Sequence, residues 1–373
     1  MNQLLARLQV SRDQAKTDGL WRERRVLDEG LCDFASNDYL GLAREPRLAD
    51  ALCEGARLYG VGSRASPLVA GYHKAHQTLE ATLCQATGHE AALLFCSGFA
   101  ANLALSNALF TAEDTLIADK LIHASMIDGA LQSGARLRRY PHCDVSAAER
   151  LLSQNPGTAL LTESIFSMDG DLAPLGALSE LCDAHRSLLI VDDAHGFGVI
   201  GEGAMGASRL PGVRPALQII TFGKAMGCQG AAILGSAELI NFLVARARHY
   251  IYSTALSPAL AHVATAAIAL IAGGDMHARL LDNIARFKRL SEAAGLALLP
   301  SSSPIQLLPV SSNAECLALG QRLRDAGFLV GAIRPPTVPA PRLRITISAS
   351  HNAGQIAALV QILAAECGAG AGK

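Results

Sequence analysis

The sequence predicts an α/β protein: a large domain built on a mostly parallel sheet covered by helices on both faces, followed by a smaller α+β domain. Three observations lead there. Strand-like and helix-like stretches alternate from about residue 46 onward, as parallel strands covered by crossover helices do. The runs 159–163, 187–191 and 216–220 are nearly all apolar, as strands buried on both faces are. After residue 256 the texture changes to a long Ala/Ile/Leu helix and then to strands and helices in less regular order.

Composition narrows the class. The chain has 373 residues, 50% of them hydrophobic and 17% charged, which describes a compact globule with a large core. A formal net charge of -1 gives no reason to expect nucleic acid or an anionic membrane as partner. No apolar run approaches the roughly 18–20 residues of a membrane span. Residues 1–25 are amphipathic, carry both signs of charge and lack the apolar core of a secretory signal. The nine cysteines are scattered without a C-x-x-C pair and read as reduced thiols in a cytoplasmic protein. Of these, Cys84, Cys96 and Cys182 fall in apolar patterns and are expected in the core. His73, His76 and Glu80 share a helix face, but nothing nearby completes a ligand set, so no metal is expected.

The elements follow in order. Residues 1–45 form an N-terminal helix and arm, with Leu4, Leu5 and Leu8 on one helix face, a short strand at 31–35 and a turn-rich stretch at 36–41. The large domain, 46–270, holds a helix at 73–88, a strand at 91–96 and a helix at 99–109. Strands at 114–118, 136–140, 159–163, 188–191 and 219–221 follow, with helices between several of them, and then a buried helix at 259–273. The small domain, 271–373, holds strands at 305–310 and 343–347, helices at 314–326 and 355–366, and a frayed tail from 368. Three of the apolar runs end in polar residues, at 163–167, 192–195 and 221–224. Ligands in open α/β sheets sit beyond the carboxyl ends of strands, so these ends converge on one crevice.

One lysine stands out there. The chain has six lysines against twenty-six arginines, and Lys224 lies in Thr221-Phe-Gly-Lys-Ala-Met-Gly227, just past a buried run. The neighbouring run ends in Asp192-Asp193-Ala194-His195-Gly196. A lysine, a carboxylate and an imidazole, each past a strand, suit pyridoxal phosphate: the lysine forms a Schiff base, and an aspartate keeps the pyridine nitrogen protonated. The Ser97-Gly98-Phe99 turn joins a strand to a helix, and free N–H groups at a helix start suit a phosphate.

Eight motifs in chain order carry a resemblance: Ser36-Asn-Asp-Tyr-Leu-Gly41, Ser97-Gly-Phe-Ala-Ala-Asn102, His123-Ala-Ser125, Phe166-Ser-Met-Asp-Gly-Asp171, Asp192-Asp-Ala-His-Gly196, Thr221-Phe-Gly-Lys224, Ile251-Tyr-Ser-Thr254 and Ile333-Arg-Pro-Pro-Thr-Val-Pro339. In these the chain resembles the α-oxoamine synthases, within the aspartate aminotransferase-like superfamily (fold type I) of pyridoxal phosphate enzymes. The resemblance implies that Lys224 binds the cofactor aldehyde and later moves the substrate α-proton. It places Asp192, rather than Asp193, at the ring nitrogen, His195 beside the phenolic oxygen and His123 stacked on the ring face. It gives Gly98, Phe99 and Thr221 to the phosphate, joined by Ser253 and Thr254 from the second subunit of a homodimer with a shared site. Asn37 and Ser167 are expected near substrate and cofactor.

Arg334, with Thr337 on the same proline-rich segment, is expected to hold the amino-acid carboxylate, since a guanidinium matches it in two-pronged fashion. Arg342 and Arg344 compete for that role, although alternation along a strand favours structural places for them. For the acyl substrate the N-terminal arm offers Arg22, Arg24 and Arg25, of which we select Arg22. The Arg-Pro-Pro-Thr-Val-Pro block points to members that condense L-alanine with a pimeloyl thioester, on CoA or acyl carrier protein. Siblings that use glycine or serine share the residues matched by Lys224, Asp192 and His195. A non-catalytic partner subunit is the other alternative, but such subunits lose the Schiff-base lysine.

Overall fold

The computed structural model describes residues 2–18, 20–24 and 26–370, with 367–370 described by backbone alone. Arg25, weighed above for the acyl substrate, and residues 371–373 of the tail lie outside the described residues.

Helix α1 (Gln3–Thr17) begins on Asn2, whose side chain accepts the Leu4 N–H at 2.9 Å. Leu4, Leu5 and Leu8 are all about half exposed, and no residue of this helix is buried. Strand β1 (Cys32–Phe34) precedes α2 (Pro46–Tyr59) and α3 (Lys74–Thr87). Proline in the first turn of α2 loses no helix donor, because that N–H has no partner in any helix. The alternating stretch runs β2 (Ala91–Phe95), α4 (Gly98–Leu109), β3 (Thr115–Asp119), α5 (Ala124–Ser133), β4 (Arg136–Tyr140), α6 (Val145–Gln154), β5 (Ala159–Glu163), α7 (Leu175–Ala184), β6 (Leu188–Asp192), β7 (Leu217–Thr221) and β8 (Ala231–Gly235). Helices α8 (Ala237–Arg246), α9 (Arg248–Ile251), α10 (Pro258–Ala272) and α11 (Asp275–Ala293) lead to β9 (Ile305–Pro309), α12 (Asn313–Asp325), β10 (Phe328–Ile333), β11 (Arg342–Thr346) and α13 (Ala353–Gly370). The expected tail at 368–370 is instead the last turn of α13. Among the described residues no single helix is long and apolar enough to cross a membrane.

The large sheet has the order β2-β8-β7-β6-β5-β3-β4, and the neighbours from β7 to β4 run parallel. Strand β8 departs from the expected parallel pattern, pairing antiparallel with both β2 and β7. Its link to β7 spans only 222–230, shorter than the dozen or so residues that a parallel crossover needs. Along the strands, successive side chains enter opposite layers. Leu93, Phe95, Leu161 and Ile219 join a core under α4, α5 and α8, while Leu94 and Ile220 face the core shared with α2, α3 and α10. Edge strand β4 carries Arg136, Arg138 and Arg139, charges that discourage pairing with another chain. The second sheet, β1-β10-β11-β9, pairs β1 parallel with β10 and is otherwise antiparallel. The N-terminal arm therefore contributes a strand to the C-terminal sheet.

Two details of the sequence reading change. Cys182 is buried and Cys84 half-buried, but Cys96 is exposed, because it lies one residue past β2 at the turn into α4. His73 and His76 act at the start of α3: His76 Nδ1 accepts the His73 N–H at 2.9 Å, and its Nε2 donates to the Leu256 carbonyl at 2.7 Å.

A second histidine ties the site to the sheet. His142, just after β4, bonds Asp119 through Nδ1 at 3.0 Å and Asp171 through Nε2 at 2.7 Å. Its ring stands edge-on to Phe166, with centroids 4.3 Å apart. Asp119, His142 and Cys143 lie close enough to surround a cation. Both ring nitrogens are already engaged by carboxylates, however, so the group acts as an ion-paired clamp on the loop after β5. Burial opposes the charge on His142, but the hydrogen bonds to Asp119 and Asp171 outweigh it and push its pKa up to about 12. A folded-state pKa above the unfolded value of 6.5 gives stability that is complete below 6.5 and is lost as pH rises toward the folded value. We predict that His142→Gln lowers stability by about 1–3 kcal/mol near neutral pH. Denaturant melts of both proteins across pH should show the gap shrinking from neutral toward alkaline conditions; a gap that widens there would exclude the charged clamp.

Candidate active site

Register pairs Glu163 with Asp192, so β5 and β6 end level with one another, and Asp192 with Ile219, so β7 runs two residues further to Thr221 before the lysine loop begins. The cavity beyond them is lined by Gly98, Phe99, Asn102, His123, Glu163, Asp192, His195, Thr221 and Lys224, among others. The three polar strand ends thus meet, as the sequence implied.

The lysine loop is held by close backbone packing. Gly227 has φ +63°, and a Cβ there would lie 2.3 Å from the Ala43 nitrogen, so only glycine lets the loop close against the segment after Gly41. Burial dominates the Lys224 amine and lowers its pKa to about 8, partly opposed by Asp192 and Glu163 and reinforced by Arg344. Asp192 is 6% exposed. Its Oδ2 accepts from Asn102 Nδ2 at 2.7 Å and its Oδ1 from the Ala194 N–H at 3.1 Å. These donors satisfy and orient the carboxylate. Asp193, in contrast, turns inward and accepts from the Ala207 N–H and Gln218 Nε2.

Asn102 also donates to Ser125 Oγ at 2.9 Å, and Ser125 lies 2.7 Å from His123 Nδ1. Because that Nδ1 also caps the Ser125 N–H, it is an acceptor, and the serine hydroxyl donates to it. One continuous chain of bonds therefore runs from Asp192 to His123. Burial lowers the His123 pKa; Asp192 opposes this and Lys224 adds to it, which leaves a neutral ring at the cavity wall.

Helix α4 starts at Gly98 with Ser97 as its cap, the serine accepting the Ala100 N–H at 3.2 Å. The first N–H groups of the helix open beside Thr221, and a Cβ on Gly98 would sit in the same space, 3.8 Å from the Thr221 Cβ. These residues fit pyridoxal phosphate: a helix N-terminus and hydroxyl for the phosphate, a carboxylate fixed for a ring N–H, an imidazole wall and a lysine with a lowered pKa.

The remaining expectations divide. Arg344 is 5% exposed, and its guanidinium donates to the Ser167 carbonyl at 2.8 Å, Thr346 Oγ1 at 3.1 Å and Asn37 Oδ1 at 3.0 Å. It thereby gathers Asn37 and Ser167 at the site, and its charge reaches Lys224. Arg342 pairs with Asp169 at 2.8 Å. Arg334 follows β10 half-buried and is not among the residues lining the cavity; its charge registers at Cys316 on α12. Arg22 Nη2 donates to Thr337 Oγ1 at 3.1 Å, which joins the arm to the proline-rich segment 315 positions away. Ser253 and Thr254 do not line this cavity; they border separate grooves with His249 and Tyr250.

The sequence reading gave no role to Asn102, Ser125, Tyr39 or Glu163. Asn102 was detectable, since it lies one helical turn after Gly98 on the same face. Glu163 was visible only as a polar strand end. Burial raises its pKa well above the ordinary carboxyl range, Asp192 adds to this, and Lys224 opposes it.

Residues 29–363 match the aminotransferase class I and II family, to which the chain belongs. Relatives are more specific. The 8-amino-7-oxononanoate synthase of Sodalis glossinidius is 45% identical, covering 96% of this chain and 97% of its own. That of Cronobacter sakazakii is 47% identical, with 90% of this chain and 89% of the relative covered. Over this length and identity the chain falls among the 8-amino-7-oxononanoate synthases. The solved 8-amino-7-oxononanoate synthase of Francisella tularensis is 31% identical with TM-score 0.79, over 92% of this chain and 99% of that one. A serine palmitoyltransferase of Sphingomonas wittichii is 25% identical with TM-score 0.91, over 98% of both chains.

We predict that borohydride treatment of the pyridoxal phosphate-loaded protein leaves the cofactor mass on the peptide carrying Lys224. Capture by the cofactor-free protein should quicken as pH rises through about 8, because only the neutral amine attacks an aldehyde. Peptide mass spectrometry and absorbance-monitored capture rates test both. A label on any other lysine would reassign the role.

Proposed function

We propose that the protein condenses L-alanine with a pimeloyl thioester, on CoA or acyl carrier protein, giving 8-amino-7-oxononanoate, CO2 and the free thiol. The observation that carries this reading is the meeting of Lys224, Asp192 and His195 in one cavity, in a chain that is 45% identical to a named synthase over 97% of that relative. Pyridoxal phosphate, when bound, supplies an aldehyde for the amine and a ring that withdraws electrons from the adjacent carbon.

The residues of the chain do the rest. With the cofactor bound, Lys224 Nζ would hold its aldehyde, and the released amine would take the α-proton of alanine, a role that a pKa lowered to about 8 suits. Asp192, held by Asn102 and the Ala194 N–H, would accept from the ring N–H. The neutral imidazole of His123 would wall the ring, Gly98, Phe99 and Thr221 would hold the phosphate, and Ser167 and Asn37 would border the substrate.

For the alanine carboxylate we prefer Arg344 to Arg334: neither lines the cavity, but the charge of Arg344 reaches Lys224 and His195. The Arg344 guanidinium has five N–H donors, and the three bonds above with its hydrogen bond to Tyr39 leave one for a carboxylate. Arg22 and Thr337 together form a place for the acyl substrate.

We propose in addition a homodimer in which Ser253 and Thr254 of each copy complete the other's phosphate site. Their exposure supports this, as do the exposed Leu68 and Tyr72 along the adjoining grooves. Eight free cysteines among the described residues suit a cytoplasmic setting.

Asp192→Asn should bind cofactor and yet lose most turnover, by about 3 kcal/mol or more in kcat/KM. Product mass from alanine and a series of acyl thioesters on each carrier decides the substrate; glycine or serine as the preferred amino acid would overturn the reading.

The arginine assignment has its own test. Arg344→Lys should raise the alanine KM about ten- to a hundredfold, with little change for the thioester. If Arg334→Lys does this instead, the carboxylate role returns to Arg334.

A further inference from the structure

Tyr39 has no part in the account so far, yet its position is unusual for a tyrosine. It comes from the loop after β1, its side chain is 0% exposed, and its hydroxyl meets Nδ1 of His195, itself 4% exposed. The second neighbour of the hydroxyl is Asn37 Oδ1 at 3.3 Å. That oxygen already accepts from Arg344 Nη2 at 3.0 Å, which fixes it as the oxygen end of the amide. A phenol has one proton and gives it to one of the two.

Geometry and charge choose the same recipient. The histidine nitrogen is the nearer of the two. Burial pushes the Tyr39 hydroxyl up to about 12, so it keeps its proton at neutral pH, while the Arg344 guanidinium pulls on its oxygen by charge and hydrogen bonding. A phenol polarised in this way is a stronger donor toward a bare lone pair. Burial holds the His195 pKa well below its ordinary value, and the charges of Lys224, Arg344 and His123 act in the same direction. A neutral imidazole carries one N–H, and accepting at Nδ1 leaves it on Nε2. Nδ1 faces the buried tyrosine, so Nε2 lies on the opposite edge of a ring that lines the cavity.

We infer that Tyr39 is a positioning residue: its O–H fixes His195 as the Nε2–H tautomer and presents that N–H to an anionic oxygen on the ligand. The inference rests on the pyridoxal phosphate reading, in which that oxygen belongs to a phenolate. The opposite tautomer would set a bare lone pair against the oxygen. Because Arg344 comes from β11, the proton position on His195 then depends on how the second sheet docks onto the site.

The test reads the tautomer directly. The full-length protein is labelled with 15N-histidine, and His195 is assigned by loss of its signals in His195→Gln. Without cofactor at neutral pH, the expected result is a protonated Nε2 and a bare Nδ1. Tyr39→Phe, which removes one oxygen and keeps the ring, should shift the population toward Nδ1–H. It should also weaken pyridoxal phosphate binding about tenfold in a fluorescence titration and move the pH midpoint of the bound cofactor's absorbance change. A wild-type imidazole protonated on Nδ1 overturns the inference whether or not the variant folds. An unchanged tautomer and unchanged cofactor affinity in a folded Tyr39→Phe also overturn it. If the wild-type protein fails to take up pyridoxal phosphate at all, the cofactor reading falls, and the tautomer measurement alone decides the role of Tyr39.

Discussion

The chemistry depends on one structural constraint: the parallel register of three neighbouring strands. Parallel pairing sets Glu163 of β5 beside Asp192 of β6, and β6 beside β7, whose end runs into the lysine loop. Burial on both faces takes these groups out of water, and the consequences differ by group. The amine loses proton affinity, one carboxyl gains it, and the other carboxyl is held by Asn102 and a backbone N–H. Slipping β6 by one residue would carry Asp192 out of this arrangement and turn its side chain toward the opposite layer.

The second sheet is coupled to the first through two buried arginines of β11, of which Arg342 pairs with Asp169 in the loop after β5. Arg344 on β11 reaches the Ser167 carbonyl in the loop after β5 and Asn37 in the loop after β1. The His142 clamp holds the same loop after β5 from the far side, through Asp171 and Phe166. This loop is therefore fixed from two directions by charged hydrogen bonds, each anchored in a different sheet. Such bonds are strong where they are buried, and losing one partner leaves the other charge uncompensated. The arm contributes as well, since β1 adds a strand to the small sheet and Arg22 bonds Thr337.

Backbone likeness does not by itself choose the substrate. The Sphingomonas wittichii serine palmitoyltransferase matches this backbone with TM-score 0.91 at 25% identity, while the Francisella tularensis 8-amino-7-oxononanoate synthase gives 0.79 at 31%. One scaffold thus carries proteins of both names.

Much of this was legible in the sequence. Strand β5 carries the bounds that its apolar pattern gave, because a strand buried on both faces leaves an uninterrupted run between polar ends. Lys224, Asp192, His195 and Gly98 were identifiable for the same reason, as polar or small residues directly past such runs. Strand β8 was not, since Ala231-Ala-Ile-Leu-Gly235 is short and rich in small residues, and only its pairing between β2 and β7 makes it a strand. Strand β10 was hidden by Gly331 within it. The burial of Arg344 against Asn37 and Ser167 and the contact of Tyr39 with His195 were decided by the tertiary structure alone. Each joins residues far apart in the chain, Asn37 and Arg344 by 307 positions, and no local pattern records which distant side chain will meet a buried hydrogen-bonding group. Periodicity reports which face a residue takes within its own element; the partner it finds there depends on how the two sheets dock.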